Sequence, residues 1–178
     1  MSIKNTRIIC FTGLSGSGKS KVIQAFKDND TCGIIRLGNN VRKLKHMENF
    51  CGTTEEYAEK FRFSSVCEFI IDEIHMQTES KELLVIDSVR TISDYLFFKE
   101  HFRNVKLIMI IADRNNRLEW LNKRNRTGES YTEFKLSSHD YWELDFGISN
   151  LLGLTDKFFI NEGSIDDLQK KVISYVFS

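Results

Sequence analysis

The chain has 178 residues, enough for the core of one compact domain, and its 25 basic and 25 acidic residues give a net charge of zero. This balance argues against a nucleic-acid or membrane-surface partner, and no apolar run approaches the roughly 20 residues that cross a bilayer. The N-terminus lacks the apolar segment of a signal peptide, and the four cysteines show no C-x-x-C spacing. We therefore expect a cytoplasmic protein with reduced thiols and no zinc site.

The first predicted elements are a buried strand over residues 7–12 and a helix from about residue 21, with Gly-Leu-Ser-Gly-Ser-Gly-Lys-Ser between them. This segment, residues 13–20, fits the phosphate-binding pattern G-x-x-x-x-G-K-[ST] at every fixed position. Glycines let several backbone N–H groups point at one anion, and the following helix adds the positive end of its dipole. We expect Lys19 to bridge the outer phosphates of a nucleotide and Ser20 to bind Mg²⁺. The residues predicted to bind the nucleotide here are Gly13, Ser15, Gly16, Ser17, Gly18, Lys19, Ser20 and Lys21. A chance glycine-rich turn is the alternative, and the flanking strand and helix argue against it.

A second strand is predicted over residues 33–38, followed by Asn39, Asn40, Val41 and Arg42. An arginine at a strand end can clamp a second substrate. The alternative is that Arg42 belongs to a solvated basic run with Lys43 and Lys45, and spacing alone slightly favours that alternative. Helices are predicted next, over residues 54–63 and 65–78.

A third strand is predicted over residues 83–87, and it ends in Asp87-Ser88-Val89-Arg90. A carboxylate at this strand end, beside the phosphate loop, can hold the water shell of Mg²⁺. Arg90 can reach an acceptor phosphate, because the planar guanidinium binds two oxygens at once. The alternative is that Asp87 caps the next helix and that Arg90 is a solvated surface charge.

The second half of the chain continues the alternation, with strands over 105–112 and 157–160 and helices over 92–102, 114–124, 137–152 and 165–177. Strands that alternate with helices predict an α/β fold, here a three-layer α/β/α domain with a five-stranded parallel sheet. Arginines cluster in and after the helix predicted over 114–124, where a lid could close on transferring phosphates. They are Arg114, Arg117, Arg124 and Arg126. The alternative is a solvated basic helix face.

These motifs together resemble the P-loop nucleoside monophosphate kinase superfamily, which includes adenylate kinase and dephospho-CoA kinase. Within it they resemble an archaeal group of adenylate-kinase-like or dephospho-CoA-kinase-like proteins. Residues 38–42 resemble the Gly-Asp-x-Leu-Arg motif of adenylate kinases, with Asn39 in place of Asp. Residues 87–90 are similar to the Asp-Gly-x-Arg motif of the archaeal group, with Ser88 in place of Gly. Residues 161–164 resemble the Asn-x-Gly loop that lies against the adenine ring. Both departures fall on the acceptor side.

The resemblance implies transfer of the γ-phosphoryl group of ATP, with Mg²⁺, to a nucleoside monophosphate or a similar small phosphate ester. It implies one P-loop kinase-like domain over residues 1–178, with an acceptor-binding insert at about 39–80 and a lid at about 114–136. Arg42 and Arg90 would bind the acceptor, and Asn161 and Gly163 the adenine. The implied catalytic residues are Lys19, Asp87, Arg117, Arg124 and Arg126, and the implied metal ligands are Ser20 and, through water, Asp87. Two alternatives stay open: a dephospho-CoA kinase, and an ATP-binding regulatory protein with slow hydrolysis.

Overall fold

The computed structural model describes residues 6–124 and 130–178, which build a five-stranded parallel sheet covered by helices. The strands, in the spatial order β2-β3-β1-β4-β5, are β1 (Arg7–Thr12), β2 (Cys32–Arg36), β3 (Leu83–Asp87), β4 (Val105–Ile111) and β5 (Lys157–Ile160). This arrangement confirms the predicted three-layer α/β/α fold.

Eight α-helices occur in the described residues: α1 (Lys19–Gln24), α2 (Leu37–Met47), α3 (Thr54–Ala58), α4 (Ile71–Ser80), α5 (Ile92–His101), α6 (Arg114–Arg124), α7 (Glu133–Phe146) and α8 (Ile165–Phe177). Short 3₁₀ segments add Glu59–Phe61, Val66–Ile70 and Ile148–Leu154. Several boundaries differ from the sequence prediction. The second strand ends at Arg36 rather than at residue 38, and α2 follows it at once, so that residues 38–42 are helical. The helices expected over 54–63 and 65–78 are each divided between a 3₁₀ segment and a shorter α-helix. The helix expected over 137–152 begins earlier and stops at Phe146, because Gly147 takes a φ of +147°.

Each strand sends alternate side chains to two separate cores, as the period of a β-strand requires. From β1, Ile8 and Cys10 enter the larger core. This core is covered by the helical segments between β2 and β3, by α5 and by the 3₁₀ turn Ile148–Leu154. Ile9 and Phe11 enter the second core, against α1 and α8. Burial on both faces explains why the strands read as continuous apolar runs.

The strand order brings three strand ends together at one edge of the sheet. β1 lies between β3 and β4, with Phe11 opposite both Asp87 and Ile108. Because all strands are parallel, the segments that follow β1, β3 and β4 leave the sheet side by side. Crevices at the carboxyl ends of such strands are where ligands bind in open α/β sheets.

Neither a membrane-spanning helix nor a disulfide occurs among the described residues. None of the helices in these ranges is long and apolar enough to cross a bilayer. Cys10, Cys32 and Cys67 are buried thiols and Cys51 is an exposed one.

Candidate active site

The loop after β1 has a backbone that glycine alone adopts without strain at three positions. Gly13, Gly16 and Gly18 have φ angles of +128°, +83° and +101°. A side chain at Gly13 would collide with the carbonyl of Ile110 in β4, and one at Gly18 with the amide of Asn161. The fixed glycines of the motif are therefore explained by backbone geometry and by close packing against the neighbouring strand ends.

The same loop presents hydrogen-bond donors that are free for an anion. Within the described ranges, the N–H groups of Gly16 and Gly18 donate to no acceptor. The helix α1 begins directly at Lys19, so its first N–H groups also lack partners inside the helix. Turned N–H groups in such a loop form a concave site for phosphate oxygens.

Lys19 folds back over this loop and is only 8% exposed. Its Nζ donates to the carbonyls of Gly13, at 2.5 Å, and Leu14, at 3.0 Å. Burial lowers the pKa of Lys19 to about 8, although the carboxylates of Glu143 and Asp87 act in the opposite direction. The ammonium group is thus held at the loop and is close to neutralisation at mildly alkaline pH.

Asp87, at the end of β3, is buried beside the loop. It accepts a hydrogen bond from Ser88 Oγ at 2.9 Å, and Arg36 Nε lies 3.6 Å from its second oxygen. Asp87 does not cap the next helix, since Thr91 accepts the N–H of Asp94 at the start of α5. Ser88 has a φ of +70°, a left-handed conformation that glycine adopts without strain.

The most heavily engaged side chain of the site is Glu143 in α7, which sequence reasoning missed. Its carboxylate accepts the N–H of Ser15 at 2.6 Å and the Ser15 hydroxyl at 2.9 Å. Arg90 donates to the same carboxylate at 2.8 Å, and His139 Nδ1 lies 3.7 Å away. Glu143 is completely buried. Burial alone would raise its pKa, but the charges of Arg90 and Lys19 outweigh burial and lower it.

A signal for Glu143 does exist in the sequence. Leu136, Asp140, Glu143 and Phe146 recur at intervals of four and three residues, and all four are buried on one face of α7. Two acidic residues on an otherwise apolar face predict buried carboxylates that need cationic or N–H partners. The identity of those partners comes only from the tertiary structure.

Arg117 of α6 ties the arginine-rich helix to the loop. Its Nε donates to the carbonyl of Ser15 at 3.0 Å, and its Nη2 is paired with Asp140 of α7. Arg114 Nη1 lies 3.6 Å from the same carboxylate. Arg124 stands at the exposed end of α6, and Arg126 lies outside the described residues.

The other predicted site residues differ in burial and in contact with the phosphate loop. Asn161 is buried and donates to the carbonyl of Ser17 at 3.0 Å, whereas Gly163 is exposed. Ser20 and Lys21 are exposed on α1. Arg42 is exposed on α2, where it donates to Asn39 at 2.5 Å. The arginine at the end of β2 that meets Asp87 is Arg36, the last residue of the strand, which sequence reasoning passed over.

Two groups of side chains offer possible ligand atoms for a metal ion. His139, Asp140 and Glu143 bring possible ligand atoms within 4.8 Å of one another. Both of these carboxylates are already paired with arginines, which would repel a cation. The hydroxyl of Ser20 and the carboxylate of Asp87 offer the oxygen donors that Mg²⁺ prefers, at the edge of the phosphate loop. The latter group fits the metal better.

A scan against models of known protein families found no match. Relatives are found at the level of whole sequences. The chain is 28% identical to a UPF0200 protein of Thermococcus gammatolerans over 178 residues, which cover 95% of this chain and 93% of that protein. It is also 28% identical to a UPF0200 protein of Thermoplasma volcanium over 163 residues, covering 89% and 90% of the two chains.

Solved structures of small-molecule kinases share the fold. A gluconokinase from Sinorhizobium meliloti superposes with a TM-score of 0.61 at 16% identity, over 96% of this chain and 91% of that one. Shikimate kinase from Acinetobacter baumannii, in complex with shikimate, gives 0.60 at 13% identity, over 99% and 96%. The tunicamycin resistance protein of Deinococcus radiodurans gives 0.64 at 16% identity, over 96% and 95%. At these identities the similarity establishes a common architecture.

Proposed function

We propose that this protein is a small-molecule kinase that transfers the γ-phosphoryl group of ATP, bound with Mg²⁺, to a small acceptor. One observation carries the proposal: the phosphate loop holds a buried Lys19 and is joined to two arginines, Arg117 directly at the carbonyl of Ser15 and Arg90 through Glu143. Phosphoryl transfer needs little covalent help from the protein, and depends on positioned cations and N–H groups.

Each part of the loop has a task in this proposal. The free N–H groups of Gly16 and Gly18, with Lys19, hold the phosphates. Ser20 would supply its hydroxyl to Mg²⁺ and Asp87 would hold water molecules of the metal, and the ion would supply positive charge against the phosphates. Asn161, bonded to the loop at Ser17, sets the position of the backbone that would face the adenine.

The arginines supply the charge on the acceptor side. Arg117 is only 4% exposed and is oriented by Asp140, so it adds a fixed positive charge beside the loop. Arg90 keeps about a quarter of its side chain accessible, at 28%, and can therefore meet a substrate. Arg42, Arg124 and Arg126 remain candidates from the sequence for binding the acceptor and for stabilising transferred charge.

Two of the structural neighbours, a gluconokinase and a shikimate kinase, support a kinase of this kind. The acceptor itself has three candidate answers from the sequence: a nucleoside monophosphate, dephospho-CoA, or none, for a regulatory protein with slow hydrolysis. The first and second differ in chemistry, because one reacts through a phosphate oxygen and the other through a sugar hydroxyl.

The direct test is to follow ADP release from ATP and Mg²⁺ with a panel of nucleoside monophosphates and dephospho-CoA. We expect at least one acceptor to raise the rate above the acceptor-free rate and to appear as a phosphorylated product. Slow ADP release that no acceptor changes would instead support the regulatory alternative. A protein that releases no ADP under any of these conditions would contradict the proposal.

A further inference from the structure

The region between β2 and β3 exposes large apolar side chains on two neighbouring helices, α2 and α4. Both helices contact the 3₁₀ segment Val66–Ile70 and cover the same core of the sheet. Met47 at the end of α2 is 66% exposed, Phe69 just before α4 is 60% exposed, and Met76 within α4 is 71% exposed. A single exposed apolar side chain is ordinary, but such a group on adjacent helices is typical of an interaction surface.

The exposed stripe of α2 is basic. Its members recur at intervals of three and four residues and are all exposed: Asn39, Arg42, Lys43, His46 and Met47. Arg42 donates to Asn39 at 2.5 Å within this basic stripe. Neither Arg42 nor Lys43 forms an ion pair with any residue that the structure describes. Two positive charges of the stripe therefore have no negative partner in the described part of the protomer.

The exposed stripe of α4, with the residue that precedes the helix by one turn, is acidic. Its members follow the same spacing and are also exposed: Phe69, Asp72, Glu73 and Met76. Asp72 and Glu73 form no ion pair among the described residues. Exposed charges elsewhere in the same region do pair, as Lys60 does with Glu48. This acidic stripe therefore offers unpaired charge of the opposite sign to the basic stripe.

We propose that the two stripes form a homodimer interface, in which the basic stripe of each protomer docks on the acidic stripe of its partner. A second copy of this chain pairs the charges of both stripes and covers Met47, Phe69 and Met76. A purely basic or purely acidic partner would pair the charges of only one stripe. Because each protomer carries both stripes, a two-fold axis makes the contact twice and closes the assembly as a dimer.

The test measures self-association of the full chain by sedimentation velocity over a range of protein concentrations. We expect a reversible dimer whose dissociation constant rises with added sodium chloride, because salt screens exposed charges. Two double variants reverse one stripe each: Arg42→Glu with Lys43→Glu, and Asp72→Lys with Glu73→Lys. Each should raise the dissociation constant at least about 100-fold, because like charges then face each other. The matched control, Lys170→Glu with Lys171→Glu on the exposed face of α8, should leave the dissociation constant unchanged.

A mixture of the two reversed variants tests the pairing of the stripes. In the mixed dimer, one contact joins two reversed stripes, which again have opposite charges, and the other contact joins two native stripes. We therefore expect the mixture to dimerise with a dissociation constant within about tenfold of the wild-type value, although each variant alone does not.

A further variant tests the apolar part of the interface without changing charge. Met76→Ser should raise the dissociation constant at least about tenfold, because the lost apolar contact occurs twice in each dimer. Leu96→Ser, at an exposed position of α5, is the control and should have no effect. Melting temperatures, measured first, confirm that every variant is folded.

Three results would overturn the proposal. The wild type could remain monomeric up to its solubility limit, a dimer could survive reversal of either stripe, or the mixture of reversed variants could fail to dimerise. None of these measurements requires a nucleotide, so their outcome is independent of the kinase activity proposed above.

Discussion

Two of the buried carboxyl groups in the described residues, Asp94 in α5 and Glu143 in α7, have opposite surroundings. Asp94 accepts from Ser65 Oγ at 3.0 Å and from the N–H of Val66 at 3.1 Å, all neutral donors. Burial raises its pKa to about 6, and these hydrogen bonds oppose the rise only in part. Glu143 is buried more completely, yet Arg90 and Lys19 lower its pKa.

Neighbouring charge, rather than burial, therefore decides whether the pKa of a buried carboxyl group rises or falls in this protein. Asp94 joins the 3₁₀ segment Val66–Ile70 to α5 through neutral donors, while Arg90, four residues earlier in the chain, is paired with Glu143 instead. The role of Asp94 is therefore structural. Glu143 is held ionised by the cations around the phosphate loop.

The largest effect should come from removing the positive charge of Lys19, which lies in the loop and lowers the pKa of Glu143. Lys19→Met keeps the length of the side chain but loses the charge, so we expect ADP release to fall about 10³-fold or more, because the developing phosphate charge loses its main donor. The measurement is ADP release from ATP and Mg²⁺, with Lys170→Met on the exposed face of α8 as control. A rate within tenfold of the wild type would remove Lys19 from the site.

The next effect concerns the free energy of unfolding when Glu143, like Asp94, has no arginine partner. Arg90→Leu leaves a buried carboxylate without its ion-pair partner, which costs about 3–5 kcal/mol for a pair of this kind. Urea unfolding should show this loss, whereas Lys123→Leu, which breaks the exposed pair with Glu119, should cost less than about 1 kcal/mol. Equal losses in the two variants would mean that Glu143 does not depend on Arg90.

The third prediction uses the pH dependence of Asp94. Its pKa is about 6 in the folded protein against 3.8 for an unperturbed group, so the folded state binds the proton more tightly. The stabilisation is complete below pH 3.8 and is lost as the pH rises through 6, a change of about 2–3 kcal/mol. Glu143 has the opposite sign, because its stabilisation is present above its unfolded pKa and is lost as the pH falls through the lowered folded value.

Asp94→Asn separates these two contributions. The amide oxygen can still accept from Ser65 and Val66, but the group no longer titrates. Unfolding free energies measured between pH 4 and 7 should therefore fall with rising pH more steeply in the wild type than in the variant. Parallel curves would show that Asp94 does not carry the raised pKa.

The smallest effect concerns Lys19, a buried cation where the other two groups are buried acids. With a pKa of about 8, it loses its proton above that pH in the free protein, and phosphate binding then requires proton uptake. Affinity for an ATP analogue should fall by up to about tenfold per pH unit above pH 8. Lys19→Met should show weak binding without this slope. A wild-type affinity that is constant from pH 7 to 9.5 would contradict the lowered pKa.

The fold and the phosphate loop could be predicted because their signals are local. Apolar runs such as residues 83–87 predict the strands, and the spacing of Gly13, Gly18 and Lys19 predicts a phosphate-binding loop with positive φ angles at its glycines. The sequence did not predict where α7 ends. The helix ends before Gly147, which has a φ of +147°, and a side chain there would also press on the carbonyl of Arg90, a contact between distant residues.

The acceptor side could not be read in the same way. Glu143 meets Ser15 across 128 residues and Arg90 across 53, and no local pattern records such pairings. The arginine after β2 illustrates the same limit. The motif directs attention to Arg42, while the end of β2 at Arg36 puts that earlier residue beside Asp87 and turns Arg42 outward on α2.

The most direct test of the account is a calorimetric titration of a non-hydrolysable ATP analogue into the wild type and Lys19→Met, with and without Mg²⁺. We predict saturable binding at one site per chain, strengthened by Mg²⁺ and weakened at least about tenfold in Lys19→Met. Absence of binding by the folded wild type, or equal binding by both proteins, would contradict the claim that this loop holds a nucleotide.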